Sequence, residues 1–510
     1  MPITRRRFMR TLAAGTISST FGIPLLAQRS SLNTLKIPPL YAGEAAGGQQ
    51  HYALTTQTGS VNFISGLRTP TMGINGDFLG PTLHLKNGDN VSIAVKNLLG
   101  EATTVHWHGL HVPAKADGGP AQVIENGTTW NPQFQVNQKA GSFWYHSHLL
   151  GKTGEQVYRG LAGMIIIEDE ESSNLELPST YGVDDIPLVV QDRRFNEDGT
   201  FRYVGMGMMD VMMGVLGNTI LVNGTSSAQF SPSTNRVRFR LLNGANARTF
   251  NFAFEDNREF QLIASDGGIL EKPVNIRNLE LAPAERAEIV VNFSNGNPVR
   301  LMSYPIANDS PYAMQGMMRN MMGMNNDTFE ILTIEPQSRL ETRNEIPTQL
   351  TTIRRMNETE ATRIRRFTLS MPMGMGMMNG RGGPAQGRGP GGMMGGMAGG
   401  FQINGKSMDM STINERVTLG DTEIWEIKND SMMTHPFHIH QGQFQILDRD
   451  GVAPPPSEQG FKDVMRVGPG QVARFIMRFD HFSDPETAYM YHCHILEHED
   501  NGMMGQFTVS

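Results

Sequence analysis

One pattern recurs along the chain and constrains its fold more than any other feature. Residues 83–109 read LHLKNGDNVSIAVKNLLGEATTVHWHG and residues 417–440 read VTLGDTEIWEIKNDSMMTHPFHIH. Both run from an apolar strand through Gly-Asp and an alternating strand to Lys-Asn, and both end in His-x-His. Residues 236–252, RVRFRLLNGANARTFNF, follow the same frame without histidine. A second correspondence lies downstream of the first. WYHSHLL (144–150) precedes GLAGMIIIED, and MYHCHIL (490–496) precedes GMMGQFTV, so Ser147 stands where Cys493 stands. The middle unit offers LMSYPI at 301–306, again without a ligand. Self-similarity at this spacing means repeated structural units. Short alternating strands separated by Gly, Pro and Asn turns predict all-β sandwiches with Greek-key connections. The expected division is 29–170, 171–336 and 337–510, with a short helix within 151–160. Ligands in the outer units and a bare middle unit imply that sites form where the first and third units meet.

Ten of the 14 histidines fall into four clusters: His106 and His108; His146 and His148; His435, His438 and His440; His492, His494 and His498. Residues two apart on a strand share a face, so each His-x-His pair aims two imidazoles at one place. A single pair is more often structural than metal-binding. Four pairs in two duplicated frames are different, because burying eight imidazoles together without a metal leaves many polar nitrogens unpaired. His51, His84, His111 and His481 lie outside the pairs and read as ordinary surface or core residues.

Cys493 is the only cysteine and lies between His492 and His494. A lone cysteine is commonly a buried small hydrophobe. Here its sulfur must point away from the face that the two histidines use, towards a second site. His435 and His498 remain free to join it, and Met503 can add a distant thioether. Two imidazoles, a thiolate and a weak methionine ligand make a blue-copper electron-transfer site. The backbone of Cys493 runs directly into His492 and His494, so charge collected at one site has a covalent path to the other. Oxidations of one electron each can then be accumulated to take dioxygen to water.

Length, charge and the N-terminus bound the remaining options. A chain of 510 residues exceeds one core. A formal charge of −7 with no basic run past the N-terminus argues against nucleic acid as a partner. One cysteine excludes an internal disulfide. Residues 1–28 carry arginines, then a weakly apolar run, then small residues, the layout of an export signal. Thr4-Arg5-Arg6-Arg7-Phe8 resembles the twin-arginine type, which carries folded proteins to the periplasm. No later run is long and apolar enough to cross a bilayer.

HWHG, WYHSH, HPFHIH and HCHILEHEDNGMM resemble the four copper signatures of the multicopper oxidases, and the resemblance covers essentially the whole chain after the signal. It implies three cupredoxin-like domains and four copper ions. His435, Cys493, His498 and Met503 would hold the type 1 copper, and His106 and His438 the type 2 copper. His108, His146 and His494 would hold one type 3 copper, and His148, His440 and His492 the other. Asp117 in KADGGP and Glu499 match acidic residues that the family uses to deliver protons to the oxygen site. Oxygen reduction consumes protons in a closed site, which gives these carboxylates a physical reason.

The chain contains 34 methionines, concentrated at 205–214, 313–324 and 371–397. The last segment is rich in glycine, has no apolar periodicity and cannot build a core. Thioether is a soft donor that selects Cu(I). The chain resembles the bacterial copper-efflux branch of the family, which oxidises Cu(I) to Cu(II) and carries a Met-rich insert in its third domain. It departs from that branch in having Ser431 where an aspartate is usual, with Asp430 one residue earlier, and in lacking acidic residues early in the insert. Its substrate-copper site is therefore expected to be built differently, from Met371 and Met433, with Asp210 as an addition. The expected partners are Cu(I), dioxygen and, on a laccase-like alternative, phenols and aromatic amines, acting on a monomer. Copper storage without catalysis and ferroxidase activity, the latter drawing on Glu497, Glu499 and Asp500, are further readings.

Overall fold

The computed structural model describes residues 32–205, 207–306, 328–371 and 400–510. The segment expected to be an export signal, the Met-rich run 313–324 and the insert beyond Met371 lie outside these residues. Among the described residues, no helix is long and apolar enough to cross a membrane.

Among the described residues, six sheets pair into three sandwiches, as the alternating pattern predicts. In the first, a five-stranded sheet runs in the order Leu40–Tyr41, Thr82–Lys86, Ala162–Glu168, Gly141–His146, His106–His108. It packs on a six-stranded sheet built around Gln49–Val61 and Asn90–Leu98, with Leu54, Ile93, Leu83 and Ile165 in the shared core. The middle unit pairs a seven-stranded with a six-stranded sheet around Phe239, Leu241, Phe252 and Leu301. The third pairs two five-stranded sheets around Trp425, Phe437, Phe475 and Phe507. One of these runs Glu415–Val417, Met504–Val509, Asp484–Cys493, His435–Ile439, Val464–Val467.

The duplication seen in the sequence is a duplication of register. His146 lies opposite His106 in the first unit, and His492 lies opposite His438 in the third. In each case the first histidine of one His-x-His faces the first histidine of the other. The expected helix within 151–160 is Thr153–Arg159; its third-unit counterpart is Leu496–Asp500. The Asp500 carboxylate accepts from the backbone N–H groups of Thr153 and Gly154 at 2.9 and 2.8 Å, so the third unit caps the first unit's helix.

Two segments join units that their position in the chain does not announce. Asn33–Thr34, placed by sequence with the first domain, pairs in parallel with Ala228–Gln229, and Leu35 enters the middle core. Ile346 and Leu350, placed with the third, pack on Leu177, Ile263 and Val290 of the middle unit. Apolar residues in a linker bury against whichever core they pass.

Candidate metal centre

The strand ends Trp107-His108 and Phe437–His440 come from different sandwiches yet meet ring to ring. His106 stacks on His440 at 3.9 Å between centroids, and His108 on His438 at 3.8 Å. His148 Nε2 lies 3.3 Å from His492 Nε2, and His492 Nε2 lies 3.4 Å from His440 Nε2. His146 Nε2 lies 3.4 Å from His108 Nδ1, and the His494 ring is 5.0 Å from that of His108. All eight imidazoles are at most 1 % exposed. The structure thus brings together, between the first and third units, every histidine of the four pairs.

Most of their outward nitrogens are anchored. His106 Nδ1–H donates to the Asp117 carbonyl at 2.8 Å and His440 Nδ1–H to Asp117 Oδ2 at 2.7 Å. His146 Nδ1–H donates to the Ser147 carbonyl, and His438 Nδ1–H to the Asp463 carbonyl, both at 2.8 Å. His492 Nδ1–H donates to the Cys493 carbonyl at 3.1 Å, and the Glu499 carboxylate lies as an ionic neighbour 3.2 and 3.1 Å from His148 Nδ1 and His492 Nδ1. Among the described residues, His106 Nε2, His438 Nε2 and both nitrogens of His494 have no hydrogen-bond partner. Buried imidazole nitrogens pointing inward without partners are what a metal cluster would satisfy.

Burial, followed by the neighbouring imidazoles, pushes His108, His146, His438 and His440 well below the ordinary histidine range. Burial lowers His148 to about 4 against the opposing pull of Glu499. The rings are therefore neutral at pH 7 and offer lone pairs. Burial alone would raise Glu499, but His148 and His492 hold it well below the usual carboxylate range.

On the reverse of the His492-Cys493-His494 strand, His435 Nδ1 lies 3.2 Å and His498 Nδ1 3.6 Å from Cys493 Sγ. All three residues are fully buried. The Met503 backbone ties them together: its N–H donates to the His498 carbonyl at 2.9 Å, and its carbonyl accepts from Cys493 N–H at 3.1 Å. Burial pushes the Cys493 thiol up, so a metal must displace its proton. His435 Nε2 is 2.7 Å from Ser431 Oγ. His498 Nε2–H donates to the Met212 carbonyl at 3.0 Å. Both imidazoles thus turn Nδ1 towards the sulfur. A soft thiolate with two imidazoles suits copper. The chemistry of this donor set, and the orphaned nitrogens of the other, fit the copper that the sequence implies.

The surroundings add findings that sequence reasoning missed. Ser431, not Asp430, faces the thiolate site; Asp430 pairs with Lys428 at 2.8 Å. Met433 is buried, Met371 is half-buried, and both pack in the core that holds Cys493, Met503 and Met213. Asp210 is buried against Arg194 at 2.7 Å, so its carboxylate already answers a cation. Asp463 touches His108, and no local motif announced it. The middle unit supplies no copper ligand among the expected residues, but it supplies the Met212 carbonyl. Of the four outlying histidines, His84 pairs with Glu168 and His111 stacks on His481.

Comparison with known proteins identifies the architecture. Three family models, each described as multicopper oxidase, match residues 55–172, 178–325 and 385–510. The multicopper oxidase mco of Staphylococcus haemolyticus is 36 % identical over 469 residues, covering 91 % of this chain and 89 % of its own. The cell division protein FtsP of Escherichia coli is 33 % identical over 517 residues, covering 100 % of this chain and 99 % of its own. The solved structure of a laccase-like multicopper oxidase, CueO, from an Ochrobactrum species superimposes with a TM-score of 0.80 at 35 % identity. That match covers 93 % of this chain and all of the other. With three cupredoxin-like sandwiches in sequence and structure alike, the chain belongs to the multicopper oxidase family.

Proposed function

We propose that the chain is a four-copper oxidase that takes single electrons from Cu(I) and reduces dioxygen to two waters, for copper tolerance in the periplasm. His435, Cys493, His498 and Met503 would hold one copper. The eight paired histidines would hold the other three, apportioned as the resemblance implies. Bound copper supplies the one-electron redox chemistry and the centre at which dioxygen is reduced.

The chain's own groups set the conditions for that chemistry. Ser431 and the Met212 carbonyl orient the two imidazoles beside Cys493. Asp117 Oδ2 lies 2.7 Å from His440 Nδ1 and Glu499 Oε2 3.1 Å from His492 Nδ1, and both carboxylates are at most 1 % exposed, so they are placed to relay protons to the site. The sandwiches exclude bulk water around them.

The thioether surround of the thiolate site carries the Cu(I) reading. Met433 and Met371 lie in the same core as Cys493, and the helix Met208–Met213 reaches His498 through Met212. Met208, Met209 and Met432 are exposed at 46, 39 and 43 %. Soft donors therefore extend from solvent to the edge of the site, and they keep their affinity for Cu(I) where histidine would be protonated. The carboxylates that a ferroxidase would need are committed elsewhere: Glu497 accepts from Asn246 and Val215, and Asp500 caps the first-unit helix.

The second reading is laccase-like oxidation of phenols, supported by the Ochrobactrum relative, described as active towards lignin model compounds. Kinship with a cell division protein raises a role in cell division without catalysis as a third reading for this chain; the complete set of assembled histidines speaks against it. Steady-state oxygen uptake with Cu(I) and with a phenol, on intact protein and on protein lacking 371–397, separates the three. The Cu(I) reading expects faster uptake with Cu(I), slowed by the deletion. Equal or faster phenol turnover favours the laccase. No uptake by the copper-loaded protein defeats both.

A further inference from the structure

Two aspartates embrace the histidine cluster in the same way. Asp117 of the first unit accepts from His106 of its own unit through its carbonyl and from His440 of the third through its carboxylate. Asp463 of the third unit accepts from His438 of its own unit through its carbonyl, at 2.8 Å. Its Oδ1 accepts from His108 Nε2–H of the first unit at 3.2 Å. Each aspartate thus ties the two sandwiches together across the cluster.

They differ in what grips them. Asp117 Oδ1 has no hydrogen bond among the described residues. Asp463 is clamped by Arg286 of the middle unit, with Nη1–Oδ1 and Nη2–Oδ2 both 2.6 Å. Arg286 is held in turn by the carbonyls of Ser142, Ala284 and Asp266. Both residues are at most 1 % exposed. A fork-to-fork pair of this kind fixes orientation as well as charge. The glycine of HWHG is part of the fit: a Cβ on Gly109 would come within 2.4 Å of Asp463 Oδ2 and 2.9 Å of Arg286 Nη2. With guanidinium nitrogens on both carboxylate oxygens, Asp463 is not itself a place for a cation.

His108 is the ring that needs this help. His106, His146, His148, His438, His440 and His492 all turn Nδ1 outward to an anchor. His108 instead turns Nε2 outward and Nδ1 inward, towards His146. An imidazole presented by its other nitrogen places its anchor further from the strand, beyond the first unit's own backbone. The geometry points to Asp463 and Arg286 as positioning residues of the three-copper cluster, by which the ligand-free middle unit fixes the reversed ring of His108 and, through the Asp463 backbone, that of His438. This rests on the copper reading of the cluster.

The test is copper retention by the full-length, copper-loaded protein against a chelator, read with the blue absorbance of the thiolate site and the EPR signal of the type 2 copper. Asp463→Asn should lower cluster affinity about 10- to 100-fold and alter the type 2 signal, leaving the blue absorbance intact. Because Asp463→Asn strands a buried guanidinium, the double variant Asp463→Asn/Arg286→Met removes both charges and decides the matter if the single variant does not fold. The expected result is a folded, blue protein that still loses cluster copper. Parent-like retention and EPR in the double variant would mean that the pair serves only packing, and would overturn the proposal. The parent's own copper content tests the reading beneath it: a parent that takes no copper at the cluster defeats that reading, whereas the variant-to-parent ratio bears on the pair alone.

Discussion

The first and third units present the same Tyr-His-x-His strand to the shared cluster, but the reverse faces of those strands have diverged. In the first, Ser147 Oγ and Thr103 Oγ1 donate to Gln156 Oε1 at 2.6 and 2.8 Å, and Gln156 Nε2 donates to Glu101 Oε1 and the Ala102 carbonyl. Every amide atom of Gln156 is satisfied, and nothing soft is on offer. In the third, Cys493 stands in the same place with two imidazoles at 3.2 and 3.6 Å. The fold therefore provides two equivalent sockets behind the cluster. A closed hydrogen-bond network makes one structural, whereas a sulfur and two neutral imidazoles make the other a metal site.

The largest expected effect comes from erasing the difference. Cys493→Ser should abolish the blue absorbance and bring Cu(I)-driven oxygen uptake to background, with the histidine cluster still able to take copper. Uptake that survives this change would break the comparison, because the first-unit socket would then be as competent as the third.

A smaller effect sharpens it. Burial lowers His498, behind the third strand, to about 4, from an ordinary value of 6.5. Its counterpart socket in the first unit has no titrating imidazole. A lowered folded-state value means that the unfolded chain binds more protons between pH 6.5 and 4, so stability falls as pH falls through that window. The slope approaches about 1.4 kcal/mol per pH unit for each such imidazole. His435 beside it and the cluster histidines His108, His146, His148, His438, His440 and His494, all lowered by burial, add contributions of the same sign. Urea midpoints of the copper-free protein at pH 7.5 and pH 5 measure the sum, and His498→Gln should flatten the dependence. An unchanged slope in that variant would show that His498 is not held neutral by its burial.

The smallest effect belongs to the first socket. Ser147→Ala removes one hydrogen bond to Gln156 Oε1 while Thr103 keeps the other, so it should cost about 1 kcal/mol of unfolding free energy. Copper content and Cu(I) oxidation should be unchanged. A loss of oxidation would assign the first socket a part in the chemistry that its closed network does not suggest.

Much of this was legible before any coordinates. Strand periodicity places the histidines of each pair on one face and Cys493 on the other, and the duplicated frame says which segments correspond. The positioning groups were less legible. Asp117 sits nine residues after His108 in a recognisable motif, but Asp463 follows His440 by 23 residues, just ahead of another strand. It reaches His108 because Val464–Val467 pairs with His435–Ile439. Ser431 and Asp430 were ambiguous by one residue, and only the observed turn of that segment shows which faces His435. The Met-rich run 205–214 split on folding: Met213 is buried while Met208 and Met209 stay exposed, a division that composition cannot make.

The sequence by itself determined the three sandwiches, the chemical character of both donor sets and the opposition of sulfur to imidazole along one strand. These follow from the alternation of a β-strand, a property of neighbouring residues. Only the tertiary structure decided which rings meet across units, as His106 does with His440, and that the middle unit grips the site through Arg286 and Met212. Those contacts join residues hundreds of positions apart, and they exist because three cores pack in one particular arrangement.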